Sequence, residues 1–341
     1  MNTPREDGLR MPAEWAPHQA TLMEWPTITR TAFWGSLFDR AKADWATMAN
    51  AVAAFEPVVM VVDPEQAAEA RSMCGEGVEI LPLPIDDSWM RDNGPIFVTD
   101  ASGGVALVHF RFNSWGNKYL PFDRDAEIPK HIASHLGMRR YEAPMVLEGG
   151  SFFVDGEGTL LTTEQCLLHP NRNPDMTREQ IEHTLGEYLG VDKVIWLGMG
   201  HPLDRDTDGH IDAIAQYLGP ATILLDVPGD PADPYHDTGQ DNLVRLRAAH
   251  DAVGRAIRVV EFDAGTPAVT AYMNHYLVNG GVIVPADGEP NDEVVLVQLT
   301  RAYPDREIVT VPGAIILEGG GGPHCITQQV PVGMTLDPIR P

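Results

Sequence analysis

The chain has 341 residues, 43% of them hydrophobic, and its 49 acidic against 24 basic side chains leave a formal charge of −25. That charge argues against nucleic acid or an anionic membrane surface as a partner, and it suits a cationic small molecule as well as plain solubility. No apolar run is long enough to predict a membrane span, the start MNTPREDGLRMPAEW lacks the apolar core of a signal peptide, and three cysteines (Cys74, Cys166, Cys325) without a C-x-x-C pair predict a reduced, cytoplasmic protein.

In chain order, the first strong element is Leu37–Phe55, whose apolar residues recur at helical spacing. DDSWMRDNGP (Asp86–Pro95) then leads into Asp92–Phe110, where apolar β-formers flank an Asp/Gly turn and predict a β-hairpin. Met145–Thr163 reads as a strand, Glu-Gly-Gly and a second hairpin over Ser151–Thr163. Thr177–Gly190 reads as a helix with Thr177 as cap and Gly190 as stop. After DRDTDGHID (Asp204–Asp212), hairpins are predicted at His210–Val227 and His275–Gly288, with a helix at Asp241–Ala256 between them. The last predicted hairpin is His324–Met334, preceded by Ile315–Glu318, which repeats the apolar-strand-then-Glu-Gly-Gly opening seen at Met145.

Five such units in 341 residues give a spacing of about 68 residues, too long for a solenoid repeat but suited to ββαβ modules around an axis. No linker or compositional break divides the chain, so one closed α/β domain over residues 1–341 is expected.

Chemistry concentrates at Cys325. Four glycines, a Pro and a His precede it, whereas the earlier copy of the repeat has no cysteine there. Glycines allow close approach of backbone to a ligand at an entropic cost that a plain strand would avoid. This favours a nucleophile over a merely buried cysteine, and Cys74 and Cys166 lack such context. His210 and Asp212 form a His-x-Asp pair read as sharing one strand face, and a His near neutrality can shuttle protons. Asp92 and Glu148 are carboxylates among apolar and Gly residues, which are costly unless paired. The partner is either an arginine such as Arg91 or Arg111, or a substrate cation. Asp204, Asp206, Asp208 and Gly209 match the start of a calcium loop, but Ala215 stands where its bidentate Glu belongs, so no metal is expected. A Cys, a His and several acids together suit a planar cation, and guanidinium forks match carboxylates in bidentate fashion.

With these motifs in hand, the chain closely resembles the agmatine deiminases (agmatine iminohydrolases) of the guanidino-group modifying superfamily. MPAEWAPH, LEGGSFFVDGEGTLLTTEQCLLHPNRNP, DTDGHID, NHYLVNGGVIVP, GEPNDE and HCITQQ carry the resemblance over nearly the whole length. It implies a five-bladed pseudo-fivefold α/β propeller, the pentein fold. It implies hydrolysis of agmatine to N-carbamoylputrescine and ammonia through a covalent Cys thiouronium, a step of putrescine biosynthesis, with no metal or organic cofactor. By motif match Cys325 is the nucleophile, His210 the general acid and base, and Asp92 and Asp212 hold the guanidinium. Glu148 supports guanidinium and histidine, and Trp89 walls the substrate channel. Asp206, Gly320 and Gly321 are expected to bind substrate, and dimers are common in the family. Gly322 and Pro323 depart from the expected residues before the His-Cys pair. Asp206 stands where Glu is expected, one methylene short of the far amine, which leaves the substrate's tail open. The alternatives are deimination of peptidylarginine, amidino transfer, and a non-catalytic binding protein of the same fold.

Overall fold

The computed structural model describes residues 2–265 and 270–337. Five small sheets dominate it, and each follows one grammar: two antiparallel strands, a helix, and a third strand parallel to the second. Parallel neighbours need a crossover, which the helix supplies. The second blade is Ile96–Thr99, Gly104–Arg111 and Arg140–Val146, with helix Ile128–Leu136. The third is Phe152–Val154, Thr159–Thr163 and Lys193–Leu197, with helix Arg178–Leu189. The fourth is Ala215–Gly219, Thr222–Asp226 and Arg258–Phe262, with helix His236–Ala248. The fifth is Tyr276–Val278, Gly281–Pro285 and Glu307–Val311, with helix Asp292–Ala302.

The first blade joins the two ends of the chain. Thr327–Pro331 lies antiparallel to His18–Glu24, which pairs in parallel with Val58–Val62 across helix Phe38–Ala53. The hairpin predicted at His324–Met334 is therefore not one. Its first strand pairs with a segment near the start of the chain, and Met334–Thr335 runs parallel to Gly104–Arg111 instead.

The five blades close into a ring because their strands are apolar on both faces. Successive side chains of a strand point to opposite sides. Leu22 packs with Phe97 and Leu107 between the first and second blades, while Met23 packs with Tyr276 and Ile283 between the first and fifth. Phe152 faces the second blade and Phe153 the fourth. Leu224 and Leu277 fill the space between the fourth and fifth blades. Each fully buried aliphatic side chain contributes roughly 1.5–3 kcal/mol, and here that burial is spread over five inter-blade seams rather than one central core.

Three local expectations need correction. Ala314–Glu318 is a short helix, not the strand that the repeat implied, so the Glu of the later copy is exposed whereas Glu148 is buried. His210 caps a short 3₁₀ turn, Ile211–Ala213, rather than beginning a strand. The helix expected at Asp241–Ala256 ends at Ala248, because the Asp251 carboxylate takes the amides of Val253 and Arg255 into a turn. Helix Arg178–Leu189 matches expectation: Thr177 caps it, with Gln180 reciprocating, and Gly190 ends it in a left-handed conformation. No helix among the described residues is long and apolar enough to cross a membrane.

Candidate active site

Immediately before the first strand of each blade the chain makes a tight turn, and the five turns meet at the centre of the ring. They are Met90–Asn93, Gly149–Ser151, Ile211–Ala213, Tyr272–Asn274 and the turn ending at Ile326. Hydrogen bonds stitch them together. The Gly150 amide donates to Asp92, the Asn274 side chain to the Asp212 carbonyl, the His324 amide to the Asn274 carbonyl, and the Arg91 amide to the Cys325 carbonyl. The fold therefore brings Asp92, Glu148, His210, Asp212 and Cys325 together from segments that are far apart in the chain.

Cys325 is 5% exposed and lines a solvent-open pocket with Asp92, Trp89, Trp115, Tyr119 and Asp206, and an adjoining one with Asp206, Asp212 and Asn274. Its thiol lies 3.5 Å from Asp212 Oδ2. Burial, then the charges of Asp212 and Asp92, push its pKa well above that of a free thiol. Asn274 steadies the Cys325 loop by accepting the Cys325 amide at 3.1 Å. Gly320 takes a φ of +101°, which an L side chain rarely adopts, and a Cβ there would also sit 2.9 Å from Asp206. A Cβ on Gly321 would press into Trp89 at 2.6 Å, so these two glycines set the wall beside the thiol.

His210 is buried, and neither ring nitrogen has a hydrogen-bond partner. Asp92 Oδ1 stands 3.8 Å from one nitrogen and Glu148 Oε2 3.8 Å from the other. Burial opposes protonation, but Asp92, Cys166 and Glu148 outweigh it and raise the imidazole pKa well above its ordinary value. Asp92 accepts from the Gly150 amide and from the Trp115 indole, each at 2.9 Å. Burial lifts its pKa, His210 draws it back, and Asp212 and Glu148 add to the lift.

Neither arginine considered from sequence pairs with Asp92. Arg91 donates to the His324 carbonyl and to Gln329, and no Lys or Arg among the described residues forms an ion pair with Asp92. Glu148 is held on one oxygen by Arg172 at 2.6 Å, while the other, Oε2, is buried without a partner. Arg172 overcomes the burial penalty and keeps Glu148 below its usual range.

The acidic run after Asp204 does not converge on one point. Asp204 accepts the amides of Asp206, Thr207 and Gly209, Asp208 pairs with Arg172 and Lys118, and Asp206 accepts from the Tyr119 hydroxyl. Glu148, Cys166 and His210 do have ligand atoms within 4.8 Å of one another, but Arg172 occupies the adjoining face of Glu148. A guanidinium in the ligand shell opposes a second cation by simple repulsion.

Four contributors escaped the sequence reading: Trp115, Asn274, Arg172 and the Glu14–His324 pair. Trp115 sits in FNSWGNKY at a φ of +52°, and an aromatic beside a Gly in a polar loop was the available signal. Arg172 lies within the HPNRNP segment quoted for the resemblance, and nothing local names its partner.

The model of the Porphyromonas-type peptidyl-arginine deiminase matches residues 10–331. The chain belongs to that family. Among its relatives, it is 42% identical to the agmatine deiminase of Stutzerimonas stutzeri, covering 97% of each chain. It is 40% identical to that of Pseudomonas aeruginosa, again over 97% of each. The solved agmatine deiminase of Enterococcus faecalis superimposes with a TM-score of 0.90 at 33% identity, covering 97% of this chain and 98% of that one. A C. jejuni agmatine deiminase with substrate bound superimposes with a TM-score of 0.86 at 25% identity, over 96% and 97%. The five-bladed pentein fold implied by the resemblance, in agreement with the repeat count, is thereby shown, as is a hydrolase that opens a C–N bond of a guanidino group.

Proposed function

We propose that this chain hydrolyses agmatine to N-carbamoylputrescine and ammonia, as one catalytic domain whose first blade is built from both chain ends. The observation that carries the reading is the convergence of Cys325, which lies 3.5 Å from Asp212, with a buried histidine that has two unpartnered nitrogens and stands 3.8 Å from Asp92 and from Glu148, at the foot of a pocket lined by Asp92 and Cys325 and with no Lys or Arg among the described residues on Asp92. Such a site offers carboxylate oxygens to a planar cation.

In this reading Asp92 and Asp212 take the guanidinium N–H forks, and Trp89 and Trp115 wall the channel. The bound cation lowers the Cys325 pKa, the thiol proton leaves through the cavity, and Sγ bonds to the guanidinium carbon. His210, already protonated, gives its proton to one nitrogen as the C–N bond breaks, and ammonia departs. The amidino group stays on sulfur as a thiouronium. Neutral His210 then takes a proton from water, whose oxygen bonds to the carbon, and the C–S bond breaks as the adduct's hydroxyl proton passes to sulfur, releasing the ureido product and restoring the thiol. Glu148, held by Arg172, steadies the imidazolium through its free oxygen. Asp206 meets the far ammonium, and its shorter reach is offset by a position beside Gly320 at the cavity wall.

The test is ammonia release from agmatine, arginine, 4-guanidinobutyrate and a peptidyl-arginine, with Cys325→Ala as control. Cys325-dependent release from agmatine alone supports the reading. Release from another guanidine moves the substrate and keeps the chemistry, and release from agmatine by Cys325→Ala refutes the role of the thiol.

A further inference from the structure

Behind the guanidinium-binding carboxylate lies a buried chain that the chemistry above does not use. His324 Nδ1 meets Asp212 Oδ2 at 2.9 Å, and His324 Nε2 meets Glu14 Oε2 at 2.9 Å. The other Glu14 oxygen accepts from the Leu277 amide and the Gln216 side chain, each at 3.2 Å. Gln216 in turn accepts from the Tyr303 hydroxyl. His324 is 1% exposed and Glu14 5%, so both lie away from bulk solvent. Glu14 enters from a segment tied to the second and third blades, where Arg10 bridges to Thr99 and the Met11 amide donates to the Leu189 carbonyl.

We propose that Glu14 and His324 are positioning residues that hold Asp212 ionised and aimed at the substrate, with His324 acting as an imidazolium clamped between two carboxylates. The inference rests on the reading of the cavity as a guanidinium site. A neutral imidazole offers one donor, whereas two carboxylates facing its two nitrogens each need one. The geometry is therefore satisfied by the doubly protonated ring. Around it, Arg91 donates to the His324 carbonyl at 3.2 Å and opposes the charge. His275, which burial holds at a pKa of about 4, is neutral, and burial keeps Tyr276 protonated as well. The Phe153 ring, 5.0 Å away, closes one side. Burial opposes the Glu14 charge too, yet His324 more than compensates and takes the Glu14 pKa down to about 2. The Asp212 pKa is likewise held low against burial, by the His324 hydrogen bond and charge.

This clamp also tempers the nucleophile. Asp212 repels the Cys325 thiolate, and an adjacent imidazolium cancels part of that repulsion without touching sulfur.

The experiment compares Glu14→Gln with the wild type, reading kcat/KM for agmatine against pH together with the imidazole nitrogen NMR signals of His324. The substitution keeps a polar partner for Nε2 and removes the charge. The His324 pKa, raised in the wild type, then falls. Activity is close to wild type at the acid end and declines about tenfold per pH unit above the lowered value, while the wild type stays level there. His324→Gln loses about a hundredfold at every pH, because Asp212 is no longer aimed. A Glu14→Gln profile parallel to wild type, displaced by a constant factor, overturns the proposal in favour of simple packing. So does a neutral His324 in the wild type at pH 7, which NMR reads even if Glu14→Gln does not fold. Because that signal needs no turnover, a wild type inert toward every guanidine would remove the proposed activity and leave the clamp to be judged separately.

Discussion

Replacing Asp212 by Asn separates two roles of that carboxylate, with opposite signs. Asp212 Oδ2 lies 3.5 Å from Cys325 Sγ. At an effective dielectric of about 20, a thiolate and a carboxylate at that distance repel by about 5 kcal/mol, equivalent to between roughly 3 and 4 pKa units. The His324 imidazolium, 2.9 Å from the same oxygen, cancels part of this, so a fall of about 2 units is the working figure for Asp212→Asn. Thiolate population at neutral pH then rises about a hundredfold, while the intrinsic nucleophilicity of a less basic thiolate falls about tenfold. The net expectation is that iodoacetamide, a neutral reagent, labels Cys325 about tenfold faster in the variant than in the wild type. Ammonia release from agmatine falls by at least about a hundredfold in the same protein, because the guanidinium has lost a partner. Labelling is followed at Cys325 by peptide mass analysis, with circular dichroism as the folding control. A folded variant whose Cys325 reacts no faster than wild type would refute the electrostatic account of the resting thiol.

The two glycines of the Glu148 turn predict contrasting phenotypes. A Cβ on Gly150 would sit 2.7–2.9 Å from His210, Asp212 and Asp92, so Gly150→Ala abolishes turnover with a modest change in melting temperature. A Cβ on Gly149 would sit 2.2 Å from the Arg91 carbonyl, which is backbone and cannot swing aside, so Gly149→Ala lowers stability first, as urea titration would read. Arg172→Met removes the 2.6 Å partner of buried Glu148, leaving only His210 at 3.8 Å, and destabilises the fold by roughly 3 kcal/mol, measurable by urea denaturation. Trp115→Phe keeps the ring and removes the indole donor to Asp92. It raises KM for agmatine about tenfold at constant melting temperature, which steady-state kinetics would check.

Much of the ring was legible because its local signals are strong and short-range. Apolar β-formers on either side of Asp155–Gly158 and of Asn279–Gly280 predict the hairpins of the third and fifth blades, and both are present. Thr177 and Gly190 bracket a helix that starts and stops where they stand. What failed was of two kinds. Ile315–Glu318 is an apolar run too short for periodicity to tell strand from helix, and it folds as the latter. The pairing of Thr327–Pro331 with His18–Glu24 has no local signature, because register between segments so far apart is set by the seams that each strand fills. At the site, residues inside a recognisable motif could be anticipated: Cys325, His210, Asp92, Asp212 and Glu148 do converge. Glu14 could not be read from its surroundings. A Glu beside Trp15 reads as a surface residue, and its partner His324 is 310 positions away.

The arrangement of charge explains why so many carboxylates are buried in one small centre. Asp92, Glu148, Asp212 and Glu14 contribute four negative charges, and Arg91, Arg172, His210 and His324 supply four cations around them. With the thiol protonated, the resting site is close to neutral, which a buried cluster of ions requires. A substrate guanidinium adds one positive charge, and neutrality returns if Cys325 loses its proton. On the proposed reading, binding of the guanidinium and formation of the nucleophile are the same electrostatic event, and a product whose ureido group is neutral forfeits the attraction that held the guanidinium. The five-turn ring makes this possible. Each blade contributes its group from a turn fixed by hydrogen bonds to the next turn, so the charges are set before substrate arrives and need no reorganisation when it does.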